Sequence, residues 1–375
     1  MTKTASLRAA DKVRAKQSTF ISATRNKKIK YGKIKSMRKI TIITGASSGL
    51  GAEFARQISK KFKNQNEKRE IWLIARNKEK LESVKNEICG IKKSDESEQN
   101  EAKTSDETCG DESVNSEIAE NENQKVNSGN ENTENENGGN LNIGNEEKSD
   151  DVESAENAKN VGNLEVKTIP MDISGKTGVL AFELFLEKEK SAGGFEIENL
   201  LNNAGFGTYG PFIETPTERE MEMVELNCTA LTGICGKAIP FMKAGSGIIN
   251  VASLASFMPL GNFAVYAATK AYVLSFSIAL AAELKDKKIK VTALCPGSVS
   301  TGFANVASNG ARKEVLHGKN PEKVVRHCLA RYEKGKLLAL WSAKWRFTAF
   351  MSRFFGRYAC ARATFLFNKR PYKKD

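Results

Sequence analysis

Lys39-Ile40-Thr41-Ile42-Ile43-Thr44-Gly45-Ala46-Ser47-Ser48-Gly49-Leu50-Gly51 decides how this 375-residue chain reads. Its first six residues are apolar and β-branched, which predicts a short buried strand. The glycine-rich turn leads into a helical pattern from Ala52 to about Phe62. Glu70 to Ala75 predicts a second strand and Lys78 to Ile88 a second helix. A strand–helix–strand opening predicts a parallel sheet.

The alternation resumes after an interruption. Leu164 to Ile169 predicts a strand that ends at Asp172, and Gly175 to Glu189 a helix. Asn199 to Asn203 predicts a strand, and Thr217 to Met242 one long helical region. Gly247 to Val251 predicts a strand, Tyr266 to Leu284 an Ala-rich helix, and Ile289 to Leu294 a strand closed by Pro296-Gly297. Pro321 to Lys334 starts with Pro in the first helical turn, and Leu337 to Leu340 supplies a last strand. One doubly wound α/β domain with a parallel sheet accounts for this order better than several domains.

The net charge of +13 is segregated. Residues 1–38 carry 12 basic and 1 acidic residue, and residues 311–375 carry 17 and 4. Residues 91–160 carry 6 basic and 20 acidic residues, 14 Asn and no aromatic residue. Such a segment buries too little apolar surface to offset its ordering entropy, so 91–160 is expected to be a disordered insertion. The domain is expected over 39–340, between a basic N-terminal extension (1–38) and a basic, aromatic C-terminal one (341–375). Seven Cys without a CxxC pair argue against a disulfide framework. Two His argue against a His-rich metal centre, and no metal is expected. No uncharged run approaches 18 apolar residues, and the N-terminus lacks the apolar stretch of a secretory signal. A reduced, cytoplasmic setting is therefore expected, and Met37 is expected to begin the functional core.

Several residues carry chemistry. The turn from Thr44 to Gly51 lets the backbone approach a pyrophosphate, and the following helix offers free N–H groups and the positive end of its dipole. Arg76 stands just past the second strand, where an acid would hold a ribose 2′-OH. A cation there suits a 2′-phosphate and favours NADP(H) over NAD(H). Asp172 either contacts an adenine edge or caps the next helix, as Ser174 could. Asn202-Asn203-Ala204-Gly205 brings amides and an approachable backbone to the carboxyl edge of the sheet, or forms an ordinary turn. Tyr266 and Lys270, four apart on a helix, point the same way. An ammonium beside a phenol stabilises phenolate and makes the tyrosine a usable acid or base. Ser253, at the end of the preceding strand, can offer a hydroxyl to the same carbonyl oxygen.

With these residues in order, the sequence resembles the short-chain dehydrogenase/reductase family. The match runs through the TGxxxGxG turn, Asp172, Asn202 to Gly205, Asn227, Ser253, Tyr266-x-x-x-Lys270 and Pro296-Gly297-x-Val299-x-Thr301, over residues 39–90 and about 161–340. The resemblance implies a Rossmann-type sheet and hydride transfer between a nicotinamide and a carbonyl or alcohol. Tyr266 would be the acid/base, and Ser253 would position the substrate oxygen. Lys270 would lower the Tyr266 pKa and bond the nicotinamide ribose, and Asn227 would hold a relay water. Cofactor contacts would come from Gly45, Ser47, Ser48, Gly49, Leu50, Gly51, Arg76 and Asp172. Asn203, Ala204, Gly205, Tyr266, Lys270, Pro296, Gly297, Val299 and Thr301 would complete them.

Phe206, Tyr209, Phe257, Met258, Leu260, Phe263 and Phe303 are placed to line a pocket for a lipophilic substrate. Cys295 lacks a base partner in sequence and reads as a buried small residue. The resemblance further implies a homodimer or homotetramer built on the helices near 217–242 and 266–284. A non-catalytic dinucleotide sensor and a membrane-associated scaffold are the competing readings. Residues 336–375 resemble the C-terminal extension of a bacterial-type subset of the family. Its Trp and Phe among Lys and Arg read either as an interfacial membrane helix or as a helix packed on the substrate entrance or a partner subunit. No recognised motif supports specific nucleic-acid binding by the basic ends.

Overall fold

The computed structural model describes residues 37–374, except 64, 92–158, 162, 314 and 316. The basic segment 1–36 and nearly all of the acidic insertion lie outside the described residues.

Eight strands form one sheet in the order β3-β4-β2-β1-β5-β6-β7-β8. They are β1 (Arg38–Thr44), β2 (Arg69–Ala75), β3 (Lys159–Val161), β4 (Leu164–Pro170), β5 (Phe195–Asn202), β6 (Gly247–Val251), β7 (Lys290–Leu294) and β8 (Leu338–Ala339). All neighbours run parallel except β3, which pairs antiparallel with β4 at the edge. This corrects the boundary expected at 160. Lys159 and Asn160 already pair with β4, because an edge ladder is made by backbone groups and needs no apolar run.

Seven central strands are thus doubly wound, and the direction of winding reverses between β1 and β5. Ligands of open α/β sheets bind at the carboxyl ends of the strands beside such a reversal. β1 sits there because Ile40, Ile42 and Ile43 are fully buried, with register pairs Ile42↔Trp72 on one side and Ile43↔Leu201 on the other.

Helices cover both faces. On one, α1 (Gly49–Lys63), α2 (Lys78–Cys89) and α8 (Pro321–Glu333) bury Phe54, Leu81, Val324 and their neighbours. On the other lie α3 (Gly175–Ser191), α5 (Leu231–Ala238) and α6 (Ala264–Glu283), which bury Phe182, Ile234 and Val273. By length and composition α6 could cross a membrane. Here it buries Val273, Leu274 and Leu280 in the core.

The expected single helix over 217–242 is broken into α4 (Thr217–Val224), a π-helical stretch (Glu225–Ala230), α5 and a 3₁₀ turn (Ile239–Phe241). A short α7 (Phe303–Ala307) follows β7, and α9 (Ala343–Met351) and α10 (Arg357–Phe367) follow β8.

Candidate active site

The turn after β1 is built for close approach. Gly45 and Gly49 have φ of 64° and 56°, where a side chain is strained. A Cβ on Gly51 would lie 2.2 Å from the Gly45 carbonyl oxygen and 2.5 Å from Asn203 Nδ2. The Asn203 amide donates to the carbonyls of Thr44 and Gly45, both at 3.1 Å, and the Asn203 and Ala204 backbone N–H groups donate to Thr44 Oγ1. Asn203 and Ala204 therefore shape the turn from the neighbouring strand. Thr301 adds a side chain 3.6 Å from where a Gly49 Cβ would stand. Ser47 and Leu50 are half-buried and Ser48 is exposed at the start of α1.

Arg76 is exposed just past β2. Asp172 lies near it and accepts from the Ser174 backbone N–H at 2.9 Å. Burial pushes its carboxyl up, but the Ser174 hydrogen bonds and Arg76 outweigh this and hold it below its ordinary value. Ser174, not Asp172, is the N-cap of α3. Asn202 turns away from the carboxyl edge. Its amide donates to Asn250 Oδ1 and Cys235 Sγ, inside the β5–β6 layer.

Tyr266 and Lys270 occupy the first turns of α6, and both are buried. Lys270 Nζ donates to the Val251 carbonyl at 2.9 Å and stands 5.7 Å from the Tyr266 ring centroid. Burial lowers the ammonium pKa to about 8, against smaller opposing effects of Cys228 and Cys295. The expected fall of the Tyr266 pKa is not met in this arrangement. Burial pushes the phenol well above its ordinary value, and only the Ser253 hydroxyl pulls it down.

Ser253 caps a 3₁₀ turn (Leu254–Phe257), with Oγ accepting from Ala255 N–H and Ser256 Oγ bonded to Ser253 N–H. Ser256 Oγ also donates to the Lys270 carbonyl, which ties this turn to α6. Pro296 accepts from Leu254 N–H, so the turn after β7 is bound to the same corner. Val299 pairs with Lys319 beyond it. Cys295 is buried, and burial pushes its thiol up to about 12, which leaves it inert as a nucleophile.

Asn227 sits within the π-helical stretch. Its amide donates to the Phe206 carbonyl and Thr269 Oγ1, and its Oδ1 accepts from Phe206 N–H. A Gly205 Cβ would meet Asn227 Oδ1 at 2.6 Å and Lys270 Nζ at 3.4 Å. Asn227 thus clamps the loop after β5 beside the lysine. The extra residue per turn aims it there, and such bulges recur at functional sites.

Around Tyr266, Phe206, Tyr209, Leu260, Phe263 and Phe303 form an apolar cluster. Phe263 stacks on the Tyr266 ring at 4.1 Å between centroids. Phe257, at the end of the 3₁₀ turn, is not part of it and packs against the core beneath the β-sheet face that α6 covers. Met258 joins neither cluster.

The chain's C-terminus adds residues that the motif pattern did not flag. Asn262 Nδ2 donates to carbonyls of Thr364, Phe365 and Asn368, and Thr364 Oγ1 accepts from Gly261 N–H. Arg370 lies over the Phe263 ring at 5.1 Å and donates to the Gly261 carbonyl. Trp345 of α9 packs so tightly on Gly297 that a Cβ there would lie 2.4 Å from its Nε1. Among the described residues no His, Cys and carboxylate cluster could hold a metal ion.

A family model described as short chain dehydrogenase matches residues 136–311. The 3-oxoacyl-[acyl-carrier-protein] reductase FabG of Chlamydia pneumoniae is 31% identical over 174 residues, which is 44% of this chain and 68% of that protein. The chain spans only 22% to 24% of the length of the first curated relatives it matches. The fold resembles a short-chain dehydrogenase from Sphingobium yanoikuyae solved in complex with NADPH. It has a TM-score of 0.56 and 20% identity, over 85% of this chain and 94% of that one. It also resembles a Burkholderia phymatum short-chain dehydrogenase/reductase in complex with NAD, with a TM-score of 0.56 and 16% identity, over 90% and 98%. The reversal-point glycine turn, the Ser253–Tyr266–Lys270 corner and these likenesses agree: the chain belongs to the short-chain dehydrogenase/reductase family.

Proposed function

We propose that the chain is an NADP(H)-dependent oxidoreductase acting on a lipophilic carbonyl or its alcohol, with Tyr266 as acid/base. The observation that carries this is the convergence of Tyr266, Lys270, Ser253 and Asn227 on one corner behind the glycine turn. The turn fits a dinucleotide, because its glycines fold it tightly against β5 at the N-terminus of α1, where a Cβ at Gly45, Gly49 or Gly51 would be strained or would clash with the chain itself. Gly45 to Gly51, Asn203 to Gly205, and Pro296 to Thr301 would hold it. When bound, the nicotinamide supplies or accepts the hydride at the carbonyl carbon.

Tyr266 donates its hydroxyl proton to the carbonyl oxygen in reduction and takes it back in oxidation. Its raised pKa keeps it protonated, which suits the reductive direction. Ser253 offers its hydroxyl to the same oxygen and orients it. Lys270 holds a positive charge beside the ring, and Asn227 positions the loop around the lysine and would hold a relay water. Exposed Arg76 favours a 2′-phosphate, hence NADP(H). The aromatic cluster around Tyr266 favours a lipophilic substrate, and FabG's name makes 3-oxoacyl compounds one class to test. The open groove lined by Val179, Leu180, Cys228, Thr232 and Tyr272 backs onto this corner at Cys228 and suits a subunit contact. Light scattering would measure the assembly.

NADPH oxidation against a panel of lipophilic ketones tests the reading. Tyr266→Phe is expected to lower turnover by about 10²- to 10⁴-fold while NADPH still binds. Unchanged turnover would remove Tyr266 from the chemistry.

A further inference from the structure

The outward face of α9 and α10 is apolar and cationic at once. On α9, Trp345 and Ala349 are buried. Phe347 and Phe350 stand on the opposite side, 65% and 53% exposed, and Phe354, 67% exposed, lies in the turn just past the helix. Phe350 and Phe354 lie edge to face, 5.2 Å between centroids. Tyr358 and Phe367, 82% and 85% exposed, flank the outer face of α10 on either side, with Leu366, 42% exposed, between them. The other side of α10 is bonded to Gly261 and Asn262. Lys344, Arg346, Arg353, Arg357 and Arg362 are exposed among these rings. None of the five has an ion-pair partner among the described residues. From Lys334 to Lys374 the chain contains no acidic residue.

Exposed aromatic rings gathered with cations on one terminal segment mark a docking surface. Charge selects the occupant. A second copy meeting this face across a two-fold axis would set the same cations against each other. A bilayer with anionic headgroups takes rings at the headgroup–acyl boundary and pairs with the cations around them. We propose that α9 and α10 form an interfacial docking surface for such a bilayer. Docking would place the covered substrate corner next to the lipid, because α10 bonds to the turn that carries Phe263, the ring stacked on Tyr266. The docking does not depend on the proposed reaction. Only the delivery of a lipophilic substrate from lipid does.

The test is sedimentation of the full chain with phosphatidylcholine vesicles and with vesicles containing roughly a third phosphatidylserine. Binding is expected to the second kind and to weaken with salt. Arg353→Gln with Arg357→Gln and Arg362→Gln removes three cations at about five-fold each, a loss of about 100-fold. Phe354→Glu with Phe367→Glu is expected to lose binding at least as fully. Both variants change exposed side chains, so circular dichroism and thermal midpoint should match the parent. Undiminished vesicle binding by both variants overturns the proposal. So does a lipid-indifferent parent that dimerises, by light scattering, through contacts that the Glu variant abolishes.

Discussion

Lys270 should make the protein less stable at neutral pH, in a way that a single substitution and a pH change can read out. Its ammonium is buried, and burial lowers its pKa from 10.5 to about 8. The unfolded chain therefore holds the proton more tightly than the folded one. Below pH 8 both states are charged, and the folded state bears the full penalty, about 3 kcal/mol. As pH rises from 8 toward 10.5 the folded lysine neutralises first, and stability from this group increases. By pH 10 the penalty has fallen below about 1 kcal/mol. Lys270→Met removes the charge but leaves the buried Val251 carbonyl without the lysine's hydrogen bond, a loss of about 1–3 kcal/mol at any pH. The cofactor-free variant should thus be near-neutral or slightly stabilised at pH 7 and clearly destabilised at pH 10. The swing is about 2–3 kcal/mol, and activity should be lost. Urea unfolding of parent and variant at both pH values measures it. A stability difference that stays the same at pH 7 and pH 10 would refute a lysine held charged against burial.

Two other outcomes are expected. Arg76→Gln should raise KM for NADPH about ten-fold or more through the lost charge-assisted contact, with NADH little affected; an equal change for both cofactors would remove Arg76 from phosphate recognition. Asn262 has φ of 58° and bonds α10. Asn262→Ala should therefore cost about 1 kcal/mol more than Asn262→Gly in thermal unfolding, from the left-handed backbone. Both should speed hydrogen exchange over residues 357–368, and unchanged exchange in both would mean that this side chain does not hold α10.

The fold was legible where one local pattern settled it. β1, its glycine turn and α1 follow from a β-branched run, a change to helical spacing and glycines at the positive-φ positions. β5 was seen only from Asn199, although it begins at Phe195. Glu196 and Glu198 make its first half read as polar, whereas in the structure Lys243 and Arg69 pair with them. The π-helical stretch around Asn227 is a backbone register that composition does not encode. The Tyr266–Lys270 pair was legible as a spacing. Its electrostatics were not, because the direction of the phenol shift depends on burial from several elements. The seam between Asn262 and α10 joins residues about a hundred positions apart, and no local periodicity carries such a contact.

That seam changes how the C-terminal extension should be understood. By composition, residues 341–375 separate from the domain as a basic, aromatic tail. In space, α9 closes on Gly297 through Trp345, and α10 closes on Gly261 and Asn262. Gly297 borders the turn expected to meet the nicotinamide, and Asn262 precedes the ring stacked on Tyr266. One segment therefore touches the expected cofactor side and the expected substrate side of the same corner. A load on its outer face, whether lipid or protein, would act on both through packed contacts and hydrogen bonds. If α9 and α10 dock on an anionic bilayer as proposed, the positive charge of the tail would bear on the chemistry indirectly, through the helices that carry it.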